Sequence, residues 1–240
     1  MWAICKKELR QFFSSLTGYI AIVVFLLLNG LFLFVFPDSN VLDYGYATLE
    51  QFFQQSPWIL LLLIPAITMR SFADEFKGGT FEILRTRPLT NTQIVSGKYA
   101  GSLTVVLISL LPTLIYVYTV HTLAMQGGID TGMTMGSYIG LFFLAAVFTA
   151  IGMCCSSFTS NAVVAFLIAA FVCFLAYSGF NAISRIPALA SGADYYIEML
   201  GIDFHYRSVS RGVLDTRDII YFLSLIVLFL AITARNLAKR

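Results

Sequence analysis

Long apolar stretches alternate with short polar segments along this chain, and six of them stand out: Tyr19–Phe36, Gln51–Ser71, Lys98–Val120, Tyr138–Phe158, Ala162–Phe180 and Ile219–Ala234. Each approaches the ~20 residues that an α-helix needs to cross the hydrocarbon of a bilayer. They are built mainly from Leu, Ile, Val, Phe and Ala, with almost no charge inside. Strands are excluded, because the runs are too long and lack strict polar alternation. Ahead of the first span, residues 2–16 place Trp2, Cys5, Leu9, Phe12, Phe13 and Leu16 at helical spacing, with Lys6, Lys7, Arg10 and Gln11 on the other face. That pattern predicts an amphipathic helix along the membrane interface, its cations near anionic head groups. The alternative is an extension of span 1 into water. No small-residue cleavage site follows span 1, so the segment does not read as a signal peptide.

Composition agrees with a membrane domain. The 240 residues are 58% hydrophobic and 12% charged, and the mean hydropathy is +0.82. Soluble domains carry about 25% charged residues, the polar surface that this chain lacks. A net charge of +2 leaves no footprint for nucleic acid. The placement of the cations matters more than their sum. In a six-span arrangement, 11 of the 15 Lys and Arg residues fall on one side, before span 1, between spans 2 and 3, and after span 6. The positive-inside rule makes that side, with both termini, cytoplasmic. The other four, Arg185, Arg207, Arg211 and Arg217, lie in the last long loop among Asp194, Glu198, Asp203, Asp215 and Asp218.

Little in the spans can do chemistry. No ionisable side chain lies well inside one, which argues against an ion-coupled carrier and an intramembrane protease. Gly78-Gly79-Thr80 is too short for a phosphate-binding loop. His121 and His205 have no partners at metal-ligand spacing, and both are expected as exposed loop or interface residues. Cys5, Cys154, Cys155 and Cys173 match no zinc motif and read as small apolar packing residues. Gly132, Gly136 and Gly140 recur every fourth residue into span 4, a spacing that lets helices approach closely, within one chain or between two. Pro65 and Pro112 each remove a backbone hydrogen bond inside a span and predict bends.

The polar segment 70–98, RSFADEFKGGTFEILRTRPLTNTQIVSGK, is the most informative. Gly78-Gly79 breaks the chain. Thr80 is placed to cap a short helix, and Glu82 sits in its first turn near the positive end of the dipole. Phe81, Ile83 and Leu84 give a small apolar face, and Pro88 ends the helix. Thr90 or Asn91 caps the next one. Such a helix suits docking into a groove on a soluble partner; packing on its own bundle is the equal alternative.

The run Glu75, Gly79-Thr80-Phe81-Glu82-Ile83-Leu84, Pro88-Leu89-Thr90, Gln93-Ile94-Val95 and Gly97-Lys98 resembles the cytoplasmic loop of ABC-2 type transporter permeases. Lys7-Glu8-Leu9-Arg10, followed by aromatics and Tyr19-Ile20, resembles the N-terminal elbow helix of that family. The last loop, with Tyr195-Tyr196-Ile197-Glu198, Asp203-Phe204-His205-Tyr206 and Ser210-Arg211-Gly212-Val213-Leu214-Asp215, is similar to the gliding-motility-associated (Gld-type) permeases of Bacteroidetes. The resemblance implies one all-α transmembrane domain over residues 1–240 with six transmembrane helices, of the type V exporter kind. It comprises an interfacial elbow helix within 1–18, a cytoplasmic coupling loop at 70–98, and an external loop at 181–218 with short re-entrant helices between Leu189 and Asp215. It further implies a chain that is not itself an enzyme and holds no cofactor, ATP and Mg being bound by a separate cytosolic ATPase. That ATPase would dock on Thr80, Phe81, Glu82, Ile83, Leu84, Arg85 and Arg87, with Phe81, Ile83 and Leu84 as anchors. The other implied partners are a second permease copy, or a related membrane subunit, and membrane lipid. The implied setting is the bacterial inner membrane, and the implied task is export or mechanical work in gliding or secretion. The competing reading is a membrane anchor that recruits an ATPase and a periplasmic partner without moving a substrate.

Overall fold

The computed structural model describes all residues except 37–39, 42–47, 87, 125–127, 187–192, 214 and 240; of Thr17, Arg85 and Ala193 only the backbone is described. The described residues are helical, with no strand among them. In chain order the helices are α1 (Trp2–Phe13), α2 (Leu16–Phe34), α3 (Glu50–Thr68), α4 (Arg70–Lys77), α5 (Thr80–Arg85), α6 (Asn91–Leu110), α7 (Leu114–Leu123), α8 (Thr131–Phe158), α9 (Ala162–Phe174), α10 (Phe180–Ser184), α11 (Ala193–Glu198), α12 (Ile202–Val209) and α13 (Thr216–Lys239).

Five stretches among the described residues are long and apolar enough to cross a membrane: Glu50–Lys77, Asn91–Leu123, Thr131–Phe158, Ala162–Ser184 and Thr216–Lys239. The pair α1 and α2 passes the same test only when taken together and is bent by 73° at its junction, so the described residues hold five candidate spans, or six if that pair counts as one. The helical stretches of spans 2 to 6 outrun the apolar runs that predict them, because a helix continues past the hydrocarbon wherever a cap or packing sustains it, whereas α2 stops two residues short of Phe36. Thus α8 starts at Thr131, where the Asp130 side chain accepts from the Met133 N–H. Pro112 sits in a single 3₁₀ turn, Leu111–Thr113, that parts α6 from α7. Pro57 and Pro65 are instead absorbed within a continuous α3. Leu175–Gly179 forms a π-helical turn between α9 and α10.

The axis of the bundle is α8. It meets α3, α4, α6, α9, α12 and α13, and most of its length is buried. Small residues make this crowding possible. A Cβ on Gly136 would stand 2.7 Å from Gly212 Cα, and one on Gly140 would stand 3.0 Å from Val209. At Gly152 the neighbour is the Thr68 side chain of α3. The close approach of Gly136 and Gly140 is therefore within the chain, against α12 and the turn after it. Gly132 meets only Asp130 Oδ1, at 3.4 Å.

Several polar side chains inside the bundle are paired across helices or to backbone, as the exclusion of water favours. Asn29 Nδ2 donates to the Phe25 carbonyl at 2.8 Å, and Ser56 Oγ donates to Asn29 Oδ1 at 3.0 Å, which joins α2 to α3. Tyr116 Oη donates to the Leu26 carbonyl (2.8 Å) and Tyr99 Oη to that of Ala146 (3.1 Å). The four cysteines are buried and unbridged.

Both termini lie at one end of the bundle. There Ile4, Phe72, Phe81, Ile94, Val95, Met153 and Leu237 form an apolar cluster separate from the main core. The opposite end carries α7, α10, α11 and α12. It is tied to the start of α3 by Tyr206 Oη, which donates to the Phe53 carbonyl at 2.7 Å.

The glycine geometry separates two substitutions four residues apart. Gly136→Val forces a side chain into the backbone of Gly212 and should cost about 1–3 kcal/mol. Gly132→Ala meets only van der Waals contact with Asp130 Oδ1 and should leave stability unchanged or raise it by up to ~1 kcal/mol. Melting midpoints of the two variants in detergent check this: the first falls, the second does not.

Candidate functional site

The segment 70–98 folds as two short helices and a capped entry into α6. Ser156, near the C-terminal end of α8, holds the shallow break between α3 and α4. Its Oγ donates to the Met69 carbonyl at 2.9 Å and accepts from the N–H groups of Phe72 (3.1 Å) and Ala73 (3.2 Å). Gly79 then turns the chain with φ of 64°, in the left-handed region that favours glycine. The N-cap of α5 is therefore Gly79 without a side-chain cap, and Thr80, expected there, is the first helical residue. Thr90 opens α6 with a reciprocal capping box: its side chain accepts from the Gln93 N–H, and Gln93 Oε1 accepts from the Thr90 N–H.

Phe81 fastens α5 to the bundle. It is 5% exposed, its ring 5.1 Å from that of Phe76, and it belongs to the terminal-end cluster. The outward face of α5 is formed by Glu82 and by Ile83, which is 63% exposed. Leu84 is half-buried against the same cluster as Phe81. Thr80 is exposed and contacts the Glu75 carbonyl at 3.5 Å. The side chain of Arg85, and Arg87 altogether, lie outside the described residues.

Beneath this loop is a desolvated charge cluster that no sequence pattern announced. Lys98 of α6 is only 1% exposed. Its Nζ lies 2.6 Å from Glu8 Oε1, 3.0 Å from Glu75 Oε1 and 2.7 Å from the Ser71 carbonyl. An ammonium has three donors, and here it has three acceptors. The Phe72 ring lies below it, 5.1 Å away. Lys7 Nζ joins Glu75 Oε1 at 2.8 Å, so two cations meet two anions and the group is formally neutral. One lysine thus binds α1, α4 and α6 together. Gly97 and Gly101 let α1 lie close enough: a Cβ at Gly101 would stand 2.8 Å from Glu8 Cβ, and one at Gly97 3.0 Å from Ile4 Cβ. The buried face of α1 is accordingly Ile4, Cys5 and Glu8, while Trp2, expected on the apolar face, is 77% exposed.

The opposite end holds a second polar assembly. His205, expected as an exposed loop or interface residue, is 4% exposed. Its Nδ1 lies 2.6 Å from Asp218 Oδ1 and its Nε2 2.9 Å from the Met199 carbonyl, and its ring stacks on Tyr221. A carbonyl only accepts, so the Met199 contact is one in which Nε2 donates. The pair fixes α12 to α13. Beside it, Arg207 bonds Asp203 and approaches Glu198 at 3.7 Å. Burial pulls the Arg207 guanidinium down, but the hydrogen bond to Asp203 and the charges of Asp203 and Glu198 outweigh it and hold Arg207 above its ordinary range. Asp203 and Arg207 border a cavity of about 600 Å³ between α3, α8 and α12. Among the described residues no group of three His, Cys, Asp or Glu side chains could hold a metal.

Removing one partner of a buried ion pair strands the other, at about 3–5 kcal/mol. Lys98→Met should therefore lower the melting midpoint sharply. Adding Glu8→Gln and Glu75→Gln should recover most of the loss, whereas Lys6→Met on the exposed face of α1 should change little.

No curated protein matches this chain. The family described as ABC-2 family transporter protein matches residues 2–238. A match over nearly the full length, on an all-helical membrane bundle, places this chain in the ABC-2 transporter family.

Proposed function

We propose that this chain is the permease subunit of an ATP-driven transporter of the bacterial inner membrane, with both termini cytoplasmic. Family membership implies an ABC ATPase partner and a dimeric membrane assembly. In this reading the assembly is a homodimer, or a pairing with a related membrane subunit. The ATPase alone holds ATP and Mg, and its work drives export or transmits force in gliding or secretion. The link to gliding rests on the resemblance of residues 195–215 described above.

The observation that carries the reading is the build of segment 70–98. Its short helix α5 turns Glu82 and the apolar Ile83 outward while Phe81 grips the bundle. An apolar side chain beside a polar one on an anchored helix suits insertion into a cleft, with Ile83 as the buried contact and Glu82 at the rim. Force applied there has a path inward: Lys98 joins the α4 end of the loop to α1 and α6. Orientation follows the cations, since Lys6, Lys7, Arg10, Arg70, Lys77, Arg235 and Lys239 all belong to the terminal end.

Two substitutions separate docking from folding. Ile83→Asp should weaken co-purification of the ATPase by at least about 30-fold, the equivalent of a ~2 kcal/mol hot spot, with an unchanged melting midpoint. Phe81→Asp should lower that midpoint itself. Retention of the ATPase by the Ile83 variant would sink the assignment. Independently, a cysteine at position 83 should react with an impermeant maleimide in inverted vesicles and not in intact cells.

A further inference from the structure

The cavity at the opposite end does not close on itself. Its polar part is bounded by Glu50, Gln54, Asp203, Arg207 and Arg211. A second hollow of about 410 Å³ runs down the outer flank of α3 between α2 and α9, with walls such as Val24, Leu28, Leu62, Ala66 and Phe166. Gln55 and Trp58 line both, so polar cavity and apolar groove adjoin at these two side chains and form a two-part depression. We propose that this depression is a single binding site for a membrane amphiphile: a zwitterionic phospholipid with its head in the cavity and a hydrocarbon chain in the groove.

Charge selects the head. Of the charges that line the cavity, Asp203 and Arg207 neutralise each other, which leaves one anion, Glu50, and one cation, Arg211; a head of one sign answers only one of them, whereas a phosphate joined to an ammonium answers both. Arg211 is placed for the phosphate. Its Nε donates to the Arg207 carbonyl at 3.1 Å, which fixes the orientation of a fork suited to phosphate oxygens. Glu50 begins α3 and holds Gln54 at 3.1 Å, an anion for the ammonium. Trp58 stands at the junction, its ring 5.4 Å from Tyr177 and 6.3 Å from Phe174. An indole prefers the boundary between head groups and hydrocarbon, and its face attracts a cation.

Length selects the chain. From Gln55 to Ala66 the groove follows α3 for about 16 Å at 1.5 Å per residue. Half of a ~30 Å hydrocarbon core is ~15 Å, the depth of one leaflet. The groove therefore suits a chain that enters sideways from the leaflet at the end bearing α12. That the phospholipid binds rests on this geometry alone; that it is cargo rests on the permease reading above.

The test uses the full chain in detergent with Trp2→Phe, which leaves Trp58 as its single tryptophan. Phosphatidylethanolamine brominated near the top of its chains should quench Trp58 saturably. Diacylglycerol with the same brominated chains should require at least tenfold more, and glycerophosphoethanolamine, a head without chains, should compete at least tenfold more weakly than the intact lipid. Glu50→Gln with Arg211→Gln should raise half-saturation at least tenfold, as should Ala66→Phe, which fills the groove. Melting midpoints identify any variant that fails to fold, and the exposed pair Glu50 and Arg211 keeps the test open if Ala66→Phe does. Quenching that is unsaturable, equal for both brominated lipids, or untouched by the folded variants overturns the site. ATPase co-purification from the same preparation is read separately: capture without saturable quenching removes the lipid site alone, and saturable quenching without capture supports the site while removing the permease reading.

Discussion

The terminal end of this bundle is organised around one ammonium removed from water. Burying a charge costs several kcal/mol, and a buried ion pair rarely repays more than that. The contribution of Lys98 is therefore position more than net stability. Its three acceptors come from α1 and α4, and any displacement of either helix strands a charge in a low-dielectric setting. Apolar contacts hold α1 as well: Ile4 and Cys5 are buried on it, and Leu9, Phe12 and Phe13 pack half-buried against the main core. The amphipathic helix is thus pinned to the bundle by electrostatics as much as by grease.

The rest of the bundle answers to α8. A membrane interior offers helices no hydrophobic drive to associate, so close packing and polar contacts between helices carry the load. Gly136, Gly140 and Gly152 open three places where a neighbour comes to backbone distance, and Ser137 and Ser156 add side-chain bonds to Ser210 and Met69. Substituting larger apolar residues along this face would keep the hydropathy and lose the architecture.

What the sequence revealed and what it concealed follow from physics. The spans were legible because hydrocarbon imposes a length of about 20 residues on any crossing helix. Their ends were less so: the hydropathy of residues 131–137 is mixed, and α8 begins there because Asp130 caps it. The second apolar cluster was hidden because α5 has six residues, under two turns, too few for periodicity to tell which of Phe81 and Ile83 faces inward. Lys98 read as a loop cation at the edge of a span, since its carboxylates come from positions 23 and 90 residues away. His205 read as exposed because its partner Asp218 lies beyond a turn, at the head of another helix. The one clue available in the loop was Gly97-Lys98 placed two turns after a well-capped start: a small residue beside a cation, on the same helix face as Gly101.

The shallow break at Met69 has a mechanical meaning. The residue keeps helical torsions (φ −54°, ψ −33°), and Ser156 bonds its carbonyl and the N–H groups of Phe72 and Ala73 that follow it. From Glu50 to Lys77 the chain accordingly runs as one helical stretch, about 42 Å of contour at 1.5 Å per residue. Its far tip edges the polar hollow and its near tip precedes the turn at Gly79. Where filling the hollow shifts this stretch, the near tip is presented differently, and linkage then runs equally in both directions: a grip on the near tip that favours one placement of the stretch alters how tightly the hollow is filled.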